Sequence, residues 1–161
     1  MLDRPDAATA AALARLYDLD LVDDPGDLDL YLALAERADG PILELAVGTG
    51  RLAIPLAEAG HLVTGVDIDP AMLERARARA RGTAGEDRLT LVEGDVVGLG
   101  LPDAGHYGLA FIALNSLLVL PTRAAQRAAI RALADHLAPG GLAVVDVWLP
   151  DAEDLARFDG R

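Results

Sequence analysis

Residues 41–53, PILELAVGTGRLA, restrict what this chain can fold into more than any other stretch. The apolar run Ile42, Leu43, Leu45 and Val47, interrupted only by Glu44, reads as a strand buried on both faces. It breaks at Gly48-Thr49-Gly50, and residues 51–59 return to helix formers. A strand, a glycine turn and a helix in that order aim the first backbone N–H groups of the helix at whatever lies above the strand end. The glycines allow a tight turn and let a ligand approach the backbone with no Cβ in the way.

The rest of the chain bounds the answer. Its 161 residues suit one domain, and a hydrophobic content of 52% excludes a disordered chain. The longest apolar run, residues 107–120, is too short to span a bilayer and contains Asn115 and Ser116. The N-terminus carries acids and lacks the basic-then-apolar order of a signal peptide, so the chain reads as cytoplasmic. With no cysteine there is no disulfide, thiolate nucleophile or Cys-ligated zinc, and no metal site is anticipated. Net charge is −12, and all 14 basic residues are arginine. That balance disfavours a nucleic-acid backbone and favours a small neutral or cationic ligand.

Residues 6–19 and 28–38 read as helices, separated by the turn Asp23-Asp24-Pro25-Gly26-Asp27. They form an N-terminal unit, 1–40, that serves as lid or plain cover. Strands are anticipated at 61–67, 88–93, 106–114 and 142–148. Helices are anticipated at 71–81, behind the Asp69 cap and Pro70, and at 122–138, with a tight turn at Pro139-Gly140-Gly141. Pro55 is expected to remove one hydrogen bond from the helix after the glycine turn. The four arginines at 75, 77, 79 and 81 read as a solvated face, and His61, His106 and His136 as surface or strand-end residues. Asp146 reads as a strand acid needing a structural hydrogen bond. Strands separated by helices call for a doubly wound α/β fold with a parallel sheet and right-handed crossovers, with its core at 41–149.

Ligands of such sheets bind beyond the carboxyl ends of the strands. Gly48, Thr49 and Gly50 gather there with Asp67, Asp95, Asn115 and Ser116. Asp67 could accept two hydrogen bonds from ribose hydroxyls, and Asp95 one from an exocyclic amine. The set describes an adenosine pocket. Two cofactors compete for it, because Gly48 to Ala53 also fits the dinucleotide pattern G-x-G-x-x-A. Glu44 would repel a pyrophosphate, and a chain without lysine cannot supply the Tyr-x-x-x-Lys pair of short-chain dehydrogenases.

At these residues the chain resembles the class I S-adenosylmethionine-dependent methyltransferases. The motif E-x-x-x-G-x-G stands as Glu44 to Gly50, followed by Val66-Asp67-Ile68-Asp69, Glu93-Gly94-Asp95-Val96 and the residues 137–142 before the last strand. The resemblance implies a Rossmann-like methyltransferase core with S-adenosylmethionine as cofactor. Gly48 and Gly50 would pass under its methionine part, and Glu44 would help hold the turn. Asp67 would take the ribose, and Ile68 and Met72 would pack on the adenine. Asp95 would receive the adenine amine, with the Val96 N–H on the ring. Asn115 and Ser116 would lie near methyl and acceptor, and Tyr17 and Tyr31 would close over the cofactor.

There are departures. Ala46 replaces the family's usual first glycine, and Gly108 stands where many members carry an aspartate. The antiparallel strand pair that usually follows strand five is not anticipated, so residues 150–161 read as the start of a truncated part. The sheet edge left uncovered would permit a homodimer. The function implied is methyl transfer to a small-molecule nitrogen or oxygen acceptor. The alternatives are an incomplete, non-catalytic cofactor-binding module or an NAD-dependent oxidoreductase.

Overall fold

A computed structural model describes residues 6–20, 26–102, 104–149 and 155–156. Two helices come first, α1 (Ala7–Asp20) and α2 (Leu28–Arg37). There follow β1 (Ile42–Leu45), α3 (Ala53–Glu58), β2 (Val63–Asp67), α4 (Pro70–Ala80), β3 (Leu89–Glu93), β4 (Tyr107–Ile112), α5 (Ser116–Val119), α6 (Arg123–His136) and β5 (Leu137–Val145). The five strands pair in parallel in the order β3-β2-β1-β4-β5. The winding therefore reverses between β1 and β4, which opens a crevice at their carboxyl ends.

Alternation along the strands feeds two apolar layers. Ile42, Leu109 and Phe111 join Tyr31, Leu56 and Leu73 on the side of α2, α3 and α4. Leu43, Leu45, Ala110 and Ile112 join Ala129 and Leu133 of α6 on the other side. All residues of β1 and β4 are buried, as their continuous apolar runs require. The helix α4 begins at Pro70 and is capped by Asp69, whose carboxylate accepts from the Ala71 N–H at 2.8 Å.

Pro55 does remove one hydrogen bond, as anticipated: it lies in the opening turn of α3 between Ile54 and Leu56, whose N–H groups donate to the Gly50 and Leu52 carbonyls at 3.1 and 3.0 Å. Several other expectations are corrected. The sequence Pro139-Gly140-Gly141 lies within β5, absorbed as an irregularity of its pairing with β4 between Tyr107 and Leu109. The four-residue helix α5 fills a stretch read as a strand end. His136 is buried: its Nδ1 donates to the Ala132 carbonyl at 2.6 Å and its Nε2 accepts from the Leu101 N–H at 3.1 Å. The arginines of α4 are bonded rather than merely solvated, with Arg77 donating to the Leu91 carbonyl and Arg75 and Arg79 to Asp18. Asp146 lies just beyond β5. Its backbone extends the ladder to Ile112 and Asn115, and its side chain makes no hydrogen bond among the described residues. Part of the anticipated turn, 23–25, lies outside the described residues.

Gly108 has a packing reason. A Cβ there would sit 2.4 Å from the Asp39 carbonyl oxygen, because the turn after α2 lies directly on β4 and Gly108 N–H donates to the Pro41 carbonyl. No helix among the described residues is long and apolar enough to cross a membrane, and no group of three His, Cys, Asp or Glu among them could hold a metal.

Candidate functional site

The site is built around the backbone after β1. Ala46, Gly48 and Gly50 all have positive φ, at 60°, 55° and 80°. The glycines adopt this freely, whereas Ala46 does so at a cost of about 1–2 kcal/mol. A Cβ on Gly48 would lie 3.7 Å from the Tyr17 ring, and one on Gly50 would press on Ile54 at 3.0 Å. Gly48 thus lies beneath the aromatic ring of α1, while Gly50 lets α3 pack closely.

Asp67, at the carboxyl end of β2, ties the turn to the second strand. Its Oδ2 accepts from the Gly48 N–H at 2.8 Å and its Oδ1 from the Asp69 N–H at 2.9 Å. Burial raises its pKa, and the two backbone donors only partly offset this. Thr49 is buried, and its carbonyl and hydroxyl both accept from Arg79 at 3.0 Å.

Glu44 carries a carboxyl group into the layer occupied by Tyr31 and Phe111, and is only 4% exposed. Burial pushes its pKa up to about 8 despite the nearby Arg51. Its Oε2 and the Tyr31 hydroxyl have no hydrogen-bond partner among the described residues. Tyr31 is fully buried, with its ring 4.5 Å from that of Phe111, and burial together with the charges of Asp146, Asp27 and Glu44 raises its pKa. Burial also raises Tyr17, and Arg51, Glu44 and Asp67 all act on its hydroxyl. Tyr17, Tyr31, Glu44, Gly48 and Asp67 are therefore brought together at the carboxyl end of β1.

The remaining anticipated residues sit further out. Ile68 is 48% exposed and lines a cleft of about 780 Å³ between α1 and α4, and Met72 is half-buried. Asp95 is exposed, and its carboxylate accepts from the Val97 N–H at 2.8 Å. Val96 packs on the α6 side of the core. Asn115 is left-handed at φ 62°, and its Oδ1 accepts from the Trp148 N–H at 2.6 Å, which braces the ends of β4 and β5. Ser116 starts α5.

Sequence reasoning missed three acid–arginine pairs at this site. Arg51, at the end of the glycine turn, binds Asp27 through two parallel contacts of 2.5 and 2.7 Å. Asp18 binds Arg75 and Arg79. The spacing of 75 and 79 puts both arginines on one helix face, but nothing in that spacing points to Asp18.

A family model described as a methyltransferase domain matches residues 42–141. The carboxy-S-adenosyl-L-methionine synthase of Chromohalobacter salexigens is 35% identical over 139 residues, covering 81% of this chain and 49% of that protein. An uncharacterized RNA methyltransferase of Parasynechococcus marenigrum matches over 69 residues at 38% identity, covering 43% of this chain and 15% of that protein. Among solved structures, the CcbJ methyltransferase from Streptomyces caelestis superposes with a TM-score of 0.70 at 33% identity, over 77% of this chain and 53% of that one. The glycopeptide N-methyltransferase MtfA complexed with S-adenosylmethionine gives 0.65 at 32% identity, over 78% and 52%. The chain spans about half the length, or less, of the curated relatives it matches.

Proposed function

Since the chain belongs to the S-adenosylmethionine-dependent methyltransferase family, we propose that it transfers a methyl group from S-adenosylmethionine to a small-molecule acceptor, an amine in preference to a hydroxyl. The observation that carries this reading is the joining of Asp67 to Gly48 at the switch point of the sheet. It sets a carboxylate beside a glycine backbone where an adenosine has both ribose and chain to place.

The residues fit such a cofactor. The Gly48 backbone is free of a Cβ, and Glu44 Oε2 and the Tyr31 hydroxyl are buried polar atoms without partners among the described residues. Asp67 would receive the ribose hydroxyls, Ile68 and Met72 the adenine faces, and Asp95 and Val96 its polar edge. Tyr17, lying over Gly48, would exclude water from the methionine end. When bound, S-adenosylmethionine supplies a methyl group already activated by its sulfonium. The chain then has to hold the acceptor in line, and orientation of this kind is worth up to roughly 7–11 kcal/mol. An amine needs no strong base, and the Asp146 carboxylate acting on the Tyr31 hydroxyl disfavours an anionic acceptor. An RNA acceptor, the class named for several relatives, is opposed by a net charge of −12.

The test is thermal unfolding with S-adenosylmethionine, S-adenosylhomocysteine and NAD added separately. A ligand at 100 times its Kd stabilises by about 2.7 kcal/mol, a rise of roughly 5–10 °C for a chain of this size. Both sulfur cofactors should raise the Tm, NAD should not, and Asp67→Ala should abolish the effect. Stabilisation by NAD alone overturns the reading. Turnover on a panel of small amines and alcohols then tests the acceptor class.

A further inference from the structure

Helix α1 carries Tyr17 to the glycine turn, yet it is poorly anchored by apolar packing. Ala14 is its only buried apolar residue, while Leu13, Leu16 and Leu19 are 50%, 59% and 68% exposed. None of its residues belongs to either core layer. Burial of one alanine side chain contributes far less than that of a leucine, so the apolar term does not fix where the helix sits.

Besides Tyr17 over Gly48 and the buried Ala14, the residue of α1 that bonds to the rest of the fold is Asp18. Its Oδ2 accepts from Arg75 Nε at 2.6 Å and its Oδ1 from Arg79 Nη1 at 3.2 Å. The same Arg79 Nη1 donates to the Thr49 carbonyl and hydroxyl at 3.0 Å. Burial acts to raise the Asp18 pKa, but the Thr49 hydroxyl and the two guanidiniums outweigh it and hold the group below the ordinary carboxylate range. The carboxylate beside Tyr17 in sequence is therefore bonded, through one guanidinium, to the residue beside Gly48. Helix α2 differs, because it places Tyr31 and Ala35 in the core.

We propose that Asp18 is a positioning residue: with Arg75 and Arg79 it clasps α1 onto the glycine turn, holds Tyr17 over Gly48, and so sets cofactor affinity from outside the pocket. The proposal rests on the methyltransferase reading. The arginine side chains are 40% and 38% exposed, so the clasp is open to screening by salt. Cofactor affinity should fall as ionic strength rises, and that dependence should flatten when Asp18 loses its charge.

The experiment compares the full chain with Asp18→Asn and Asp18→Glu. Hydrogen exchange of the α1 amides is followed in the free protein, and S-adenosylhomocysteine is titrated at low and high salt. Asp18→Asn should speed α1 exchange and weaken S-adenosylhomocysteine by about 3- to 10-fold at low salt, a range set by partly exposed ion pairs with some burial. Asp18→Glu should restore most of the affinity. Unchanged α1 exchange in Asp18→Asn overturns the clasp. Faster exchange with undiminished affinity overturns its role in cofactor binding. Wild-type protein that binds no S-adenosylhomocysteine overturns the methyltransferase reading instead, and the exchange arm, run without ligand, tells that failure from the first.

Discussion

Glu44 occupies a position where its neighbours along β1, Leu43 and Leu45, are fully buried and its partner across the sheet is Phe111. The folded protein holds its proton up to about pH 8, whereas an ordinary glutamate releases it near 4.5. Between those values the native state binds more protons than the unfolded chain, so this residue makes stability fall as pH rises, and its penalty is complete above about 8. Replacing it with the uncharged Glu44→Gln should flatten that part of the profile and leave the variant relatively more stable in alkali. Denaturant midpoints at several pH values across the window decide it, and a slope identical to wild type would show that Glu44 is not the source. At this scale the sequence was readable where chemistry sits at fixed short spacing, as in Glu44, Gly48 and Asp67. It was not readable where charges meet across the fold. Asp18 and Arg75 are 57 positions apart, and nothing local distinguishes a clasping arginine from a solvated one. His136 misled for the same reason, since its burial depends on a loop that folds back to offer the Leu101 N–H.

Helices and strands followed from periodicity and capping wherever these signals agreed, as at Asp69, whose side chain caps α4. They failed where pairing overrode local preference. Pro139-Gly140-Gly141 is a turn sequence by composition, yet the edge of β4 recruits it into β5. The helix α5 has too few residues to show a period, and it follows two left-handed residues, Leu114 and Asn115, that no pattern announces. The departure at Gly108 is likewise decided between elements. With Asp39 backbone atoms at 2.4 and 2.6 Å from a would-be Cβ, Gly108→Ala must part the turn after α2 from β4. The expected loss is about 1–3 kcal/mol or more, read as a lower denaturant midpoint. A midpoint within error of wild type would mean that this turn yields without cost.

Over the whole molecule, the charge of −12 and the local acid–arginine pairs respond to salt in opposite directions. Screening relieves the mutual repulsion of the acidic surface and should raise the Tm. The same screening should loosen α1 and weaken cofactor binding. Melting curves and titrations over one salt series should therefore diverge; parallel responses would contradict this division. The parallel order of the strands has a consequence in time as well. The strand β1 that leads into the glycine turn is central, flanked by β2, which follows it closely, and by β4, which comes only after α4 and β3. Closing the β1–β2 loop costs little entropy, whereas closing β1–β4 has to span most of the core. The crevice between β1 and β4 is thus incomplete until the later pairing forms, whereas the Asp67–Gly48 bond needs only β1 and β2 side by side.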